Sequence, residues 1–267
     1  MTIEQVNKIL ATISIQEKGD WLSIYQRLCS RKLPSDDEIE ECMSKMKCNA
    51  ICLEDKRYPK QLKKIYQPPF VLFYYGDISL ISDESKCVSV VGSRESTPYG
   101  ENVTREIVSD IAKDYNIVSG LALGIDAVAH QACIDAHGKT IAVLPSGIDY
   151  CHPKINYPIY KEIKQNHLLL SEYPDKEVPE QEHCRSRNRI VAALSKMVLV
   201  TEAHERSGTL LTVGCALNSN IEVGAVPYPV GENSECNRMI KDGALLIENG
   251  NDVRTFMMGW QEMKNLK

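Results

Sequence analysis

The sequence has no excess of positive charge: 31 Lys and Arg stand against 36 Asp and Glu, for a net −5 at pH 7. That excludes blanket attraction to nucleic acid or an anionic membrane, so any polyanion site must be a local patch. It has no C-x-x-C pair, and ten Cys in 267 residues are too few for a disulfide scaffold. The thiols read as reduced and the chain as cytoplasmic. No window approaches the roughly 18 apolar residues of a membrane span, and MTIEQVNKIL is not a charged-then-apolar leader. A G-x-G-x-x-G fingerprint, a phosphate-binding Walker loop and a G-x-S-x-G elbow are all missing, so a nicotinamide or flavin cofactor and a serine nucleophile are not expected. Cys151-His152 and His183-Cys184 lack zinc-ligand spacing, so no metal is expected either.

What is present is an ordinary globular composition, 43% hydrophobic and 25% charged. At about 150 residues per domain the length suggests about 1.8 domains. From Ile3 to about Cys48 apolar residues recur at spacings of three and four, as in Val6, Ile9, Leu10 and Ile13, which predicts two or three short helices. Ser35 is a cap candidate followed by acidic Asp36, Asp37 and Glu38. Ile51–Leu53 and Phe70–Tyr74 read as short strands around a short helix near Gln61–Ile65, with a junction near residues 76–86. From Cys87 onward short apolar runs alternate with helical spacing: Val88–Val91, Ile117–Ser119, Ile141–Leu144, Leu168–Leu170, Met197–Val200, Glu222–Val226 and Leu245–Ile247. Such strands, buried on both faces and separated by helices, predict an α/β fold: a Rossmann-like, mostly parallel sheet with helices on both faces, plus a small helical N-terminal domain. The division expected is a helical accessory domain over 1–48, a connector over 49–86 and the Rossmann-like domain over 87–267.

Ligands of such sheets sit beyond the carboxyl ends of the strands. The first strand exits through Gly92, Ser93 and Arg94, and the second through Ser119 and Gly120 toward Gly124, Asp126 and His130. Glycines let backbone amides approach a phosphate, and Arg94 can fork onto its oxygens; the same glycines would equally serve tight turns. Lys154 could reach the same rim. Over residues 183–207 five cations (Arg185, Arg187, Arg189, Lys196, Arg206) face only Glu202 and Glu205, a local basic patch expected just ahead of a helix. Ser207, Gly208 and Thr209 at a helix start make a plausible anion seat. Asp126 and His130, four apart on one helix, could pair as an acid–base dyad or simply cap the helix. No nucleophile is assembled, so no catalytic residue is expected.

In order along the chain, Val90-Val91-Gly92-Ser93-Arg94, Ser119-Gly120-Leu121-Ala122 with Gly124-Ile125-Asp126 and Ala129-His130, Gly138-Lys139-Thr140, Ser171-Glu172-Tyr173-Pro174, Arg187-Asn188-Arg189 and Glu202-Ala203 with Ser207-Gly208-Thr209 resemble the motifs of the DNA-processing protein A (DprA/Smf) family. The match covers about residues 50–250. It implies a non-catalytic, dimeric protein that binds single-stranded DNA, protects it, and loads a RecA-type recombinase during natural transformation. The residues implied to contact DNA are Gly92, Ser93, Arg94, Lys154, Asn156, Arg187, Asn188, Arg189, Ser207, Gly208 and Thr209, with Ser119, Gly120, Gly124, Asp126 and His130 shaping the pocket. Residues 1–48 resemble the SAM-like accessory domain of many members, and no winged helix is expected after Trp260. Departures from the family pattern fall at His152-Pro153, Cys184-Arg185, Pro227-Tyr228 and Glu235. The alternative is a nucleotide-binding sensor or a phosphoribohydrolase of related fold, whose loop carries a catalytic Glu where this chain has Thr212.

Overall fold

A computed structural model describes residues 2–232 and 234–265. Seven strands form the parallel part of one sheet: β3 (Cys87–Gly92), β4 (Asn116–Ser119), β5 (Thr140–Gly147), β6 (Leu168–Tyr173), β7 (Met197–Glu202), β8 (Glu222–Ala225) and β9 (Leu245–Leu246). Each expected apolar run becomes one of these strands. Residues of β3, β5, β6 and β7 are buried almost without exception, because helices cover both faces.

The first two strands, β1 (Asn49–Cys52) and β2 (Val71–Gly76), join the same sheet, β2 pairing antiparallel with β6. The order is β1-β2-β6-β5-β4-β3-β7-β8-β9. The chain thus proceeds outward from β3 through β4, β5 and β6, then returns to the other side of β3 for β7. That reversal makes β3 the switch point, where neighbouring strand exits diverge and leave a crevice.

One face of the sheet is covered by α7 (Gln181–Ala193), α8 (Gly208–Asn218) and α9 (Glu235–Lys241), with Ile190, Leu194, Val213 and Met239 in its apolar layer. Tyr58, Leu62 and Ile65, from the connection between β1 and β2, extend that layer. The opposite face carries α4 (Pro98–Ile111), α5 (Ile125–Asp135) and α10 (Gly250–Asn265), continued by α6 (Tyr157–Asn166). Thr97 accepts the Gly100 amide with Pro98 at the helix start, which caps α4. The 16-residue α10 has no counterpart among the expected elements.

Three helices precede the sheet: α1 (Ile3–Gln16), α2 (Trp21–Cys29) and α3 (Asp36–Lys45). Ser35 and Glu38 form the capping box of α3. These helices are pinned to the segment between β1 and β2. The Trp21 indole donates to the Pro68 carbonyl at 2.9 Å and stacks on Phe70, and Asn7 donates to Asp55 at 3.1 Å. All ten cysteines are free thiols. Among the described residues no helix is long and apolar enough to cross a membrane.

Candidate functional site

A cleft of about 280 Å³ opens at the switch point, over the carboxyl ends of β3, β4 and β7. Its walls come from Gly92–Glu95 after β3, Gly120 and Ala122 after β4, Arg187 and Asn188 on α7, and Ser207–Thr209 with Thr212 at the start of α8. It therefore gathers Gly92, Ser93, Arg94, Gly120, Asp126, Arg187, Asn188, Ser207, Gly208 and Thr209 from segments more than a hundred residues apart.

The rim carries groups that favour negative charge. Arg94 is exposed and has no carboxylate partner among the described residues. The turn beneath it is fixed, since the Ser93 hydroxyl donates to the Glu95 carbonyl and accepts the Glu95 amide. Gly124 closes the loop from β4 at φ +71°, where an added Cβ would collide with the Ser93 carbonyl oxygen, so only glycine allows the β3 and β4 exits to meet. Across the cleft, Ser207 caps α8 without accepting an amide through its side chain, and its hydroxyl oxygen is buried without a partner among the described residues. The free amides at this helix start are a favourable seat for negative charge.

The floor is a buried polar network. Arg187 is 4% exposed and donates through one guanidinium nitrogen to the carbonyls of Gly120 and Val143. Gly120 is glycine for this reason, because a Cβ there would occupy the guanidinium's place. Asp126 lies beside it and accepts the amides of Gly120 at 3.1 Å and Ala122 at 3.3 Å. Burial pushes the Asp126 carboxyl up from the ordinary aspartate range, opposed by the charge of Arg187 and by those two amides. Ser119 donates to the Val90 carbonyl at 2.6 Å, tying β4 to β3.

Several expected contacts are placed elsewhere. The arginines of the basic patch do not precede a helix: α7 begins at Gln181, so Arg185, Arg187 and Arg189 lie within it. Arg189 does not line the cleft. It is buried against Glu172 at 2.7 Å and also donates to the carbonyls of Gln67 and Ser186, so its guanidinium is fully engaged. Asn156 is buried and donates to the carbonyls of Leu121 and Ala122, holding the loop after β4 from behind. Lys154 is exposed on a short 3-10 turn (Lys154–Asn156) and has no ion pair among the described residues, but it is outside the cleft lining. Its neighbours His152 and Pro153 line a smaller pocket that shares Arg94 and Arg187 with the main cleft.

Asp126 and His130 do not form a dyad. His130 Nδ1 meets the Thr140 hydroxyl at 2.7 Å while its Nε2 is buried without a partner among the described residues. Burial, with the charges of Arg187 and His167, lowers the His130 imidazole to about 3, so it is a neutral structural group. A further cleft residue, His204, was not foreseen. It meets the buried Glu202 carboxylate at 3.0 Å, and Glu202 also accepts the Thr97 amide, bracing the start of α4. An ordinary Glu-x-His spacing on a strand exit carries no distinctive signal.

The chain and its fold have relatives among known proteins. The family model described as DNA recombination-mediator protein A matches residues 49–258. The DNA processing protein DprA of Bacillus subtilis is 39% identical over 208 residues, 77% of this chain and 70% of that protein. The crystal structure of DNA processing protein A from Streptococcus pneumoniae superposes with a TM-score of 0.78 at 32% identity, covering 93% of this chain and 92% of that one. A second solved structure, DNA processing protein A from Helicobacter pylori described for its single-stranded DNA binding mode, gives a TM-score of 0.71 at 29% identity over 82% of this chain and 98% of that one. A family match over most of the sheet, with the strand-exit motifs assembled at one cleft, establishes that this chain belongs to the DNA recombination-mediator protein A family.

Proposed function

We propose that this protein binds single-stranded DNA at the switch-point cleft, through the sugar-phosphate backbone and with little base readout. The observation that carries this reading is the pairing of an exposed Arg94, without a carboxylate partner among the described residues, with the open start of α8 across a cleft of about 280 Å³, in a chain whose net charge is −5. A guanidinium and free helix amides are phosphate ligands with no preference among bases. Acidic surface elsewhere confines the strand to this rim. Lys154, free on the adjoining turn, is the second cationic contact, while Arg187 acts from below by fixing the glycine loop and adding positive potential. The relative from Helicobacter pylori, named for its single-stranded DNA binding, supports the same ligand.

The protein acts without catalysis. Thr212 stands in the cleft where the related hydrolase loop has its glutamate, and Asp126 is occupied with two backbone amides. In this reading it works in the cytoplasm as a homodimer that shields incoming strands and delivers them to a RecA-type recombinase. The test is a fluorescence titration with single-stranded and duplex oligonucleotides at two salt concentrations, on wild type and Arg94→Ala. The expected result is single-strand preference that weakens steeply with salt and is reduced in the variant. Strict duplex preference, or unchanged affinity in Arg94→Ala, contradicts it. Release of free base from nucleoside monophosphates would instead identify an enzyme.

A further inference from the structure

The connection between β1 and β2 carries a second concentration of positive charge. Lys56, Arg57, Lys60, Lys63 and Lys64 are all exposed and face only Glu54 and Asp55 within the segment. Arg57 is paired with Asp55 at 2.8 Å, but Lys56, Lys60, Lys63 and Lys64 have no carboxylate partner among the described residues. Beside them Tyr66 projects its ring into solvent, 82% exposed. The segment is not a loose loop. Tyr58, Leu62 and Ile65 are buried in the layer beneath α7, and the Tyr58 hydroxyl donates to the Pro69 carbonyl at 2.8 Å.

Topology places this platform on the same rim as the cleft. Cys52, at the end of β1, pairs with Val71, at the start of β2, and β2 runs antiparallel to β6 with Phe73 opposite Ser171 and Gly76 opposite Leu168. The segment between them therefore emerges at the carboxyl end of β6, the end of the sheet where β3, β4 and β7 open into the cleft. From β2 to β4 there are three strand spacings, about 15 Å. The span is braced by Arg189, which binds the Gln67 carbonyl at 3.0 Å and Glu172 at 2.7 Å from the helix whose Arg187 floors the cleft. Arg185 stands exposed on the same helix, with Glu182 at 3.7 Å.

We infer that the Lys56–Tyr66 platform is a second subsite for the same single strand: phosphates leaving the cleft meet Lys60, Lys63 and Lys64, and a base stacks on Tyr66. Exposed cations interleaved with an aromatic on a rigid support are what a sequence-tolerant single-strand site requires. An acidic protein would use the lysines but has no need of a bare ring beside them. The inference rests on the cleft reading above and deepens it.

The test measures binding of an oligothymidylate of about 20 nucleotides as a function of salt, for the full chain, Arg94→Ala, the triple variant Lys60→Ala/Lys63→Ala/Lys64→Ala, Tyr66→Ala and Tyr66→Phe. Photocrosslinking of an iododeoxyuridine-substituted strand is mapped alongside. The triple variant is expected to weaken binding at least about tenfold and to lower the log–log salt slope by about 2, since each lost single-strand phosphate contact removes about 0.7. Tyr66→Ala is expected to weaken binding about tenfold and Tyr66→Phe to restore it, with the wild-type crosslink on the peptide containing Tyr66. If Arg94→Ala weakens binding while the triple and Tyr66 variants match wild type and the crosslink is absent, the cleft reading stands and the second subsite is refuted, leaving the patch to an acidic protein. If wild type does not bind the strand, or Arg94→Ala is unchanged, the cleft reading itself fails.

Discussion

Arg94 and Arg187 line one cleft, yet Arg94 stands in solvent without a carboxylate partner among the described residues while Arg187 is 4% exposed beneath the carbonyls of Gly120 and Val143. The same residue type is left open to a ligand at the rim and built into the structure at the floor. The distinction is energetic. A rim cation keeps its hydration until a phosphate replaces it, so its loss costs the fold little. A floor cation gave up its water on folding, so removing it strands every group arranged around it.

Truncating the floor gives the largest expected effect. Arg187→Ala leaves two buried carbonyls and the Asp126 carboxylate uncompensated, and should lower unfolding free energy by about 3–5 kcal/mol in urea denaturation. An unchanged denaturation midpoint would break the distinction between rim and floor. Next comes the joint between the two strand exits: Gly124→Ala, at φ +71° and against the Ser93 carbonyl, should cost about 2–3 kcal/mol by the same measurement.

A smaller effect comes through His130, held at about 3 by burial and by the Arg187 charge. Its folded value lies below the ordinary 6.5, so on acidification the unfolded chain takes up the proton first. The stability it contributes is complete above pH 6.5 and is lost as pH falls toward 3, by about 2 kcal/mol between pH 6.5 and 5. His130→Gln should flatten that part of the stability–pH curve; an equally steep curve would show that His130 is not the buried imidazole that titrates there. Smallest for stability is the rim itself: Arg94→Ala should change unfolding free energy by no more than about 0.5 kcal/mol while weakening single-strand binding. A loss of several kcal/mol there would mean that Arg94 is part of the floor.

The parallel strands were legible because burial on both faces writes a strand as a short unbroken apolar run, as in Val88–Val91 and Met197–Val200. The cap at Ser35 was legible because the chemistry is local. The rule that ligands sit at strand exits points from sequence alone to Gly92–Arg94, Gly120, Asp126 and Ser207–Thr209, which the fold brings to one cleft. The start of α7 was hidden. Two of its inward positions are Arg187 and Arg189, whose burial depends on carbonyls and on Glu172 from distant strands, so the apolar periodicity that announces a helix is missing. For the same reason sequence pattern could not separate Arg187, on the cleft, from Arg189, behind it, or see that Asn156 faces the backbone of the β4 exit. The pairing of β2 with β6 is likewise a long-range event between residues about 100 apart, with no local signature.

The most direct test of the rim as a phosphate-binding surface is the slope of log affinity against log salt for one single-stranded oligonucleotide, compared between wild type, Arg94→Ala and Lys154→Ala. Removal of each cation should lower the slope by about 0.7, the share of one single-strand phosphate contact, and weaken binding to unrelated sequences alike. Slopes and affinities equal to wild type in both variants would contradict the account.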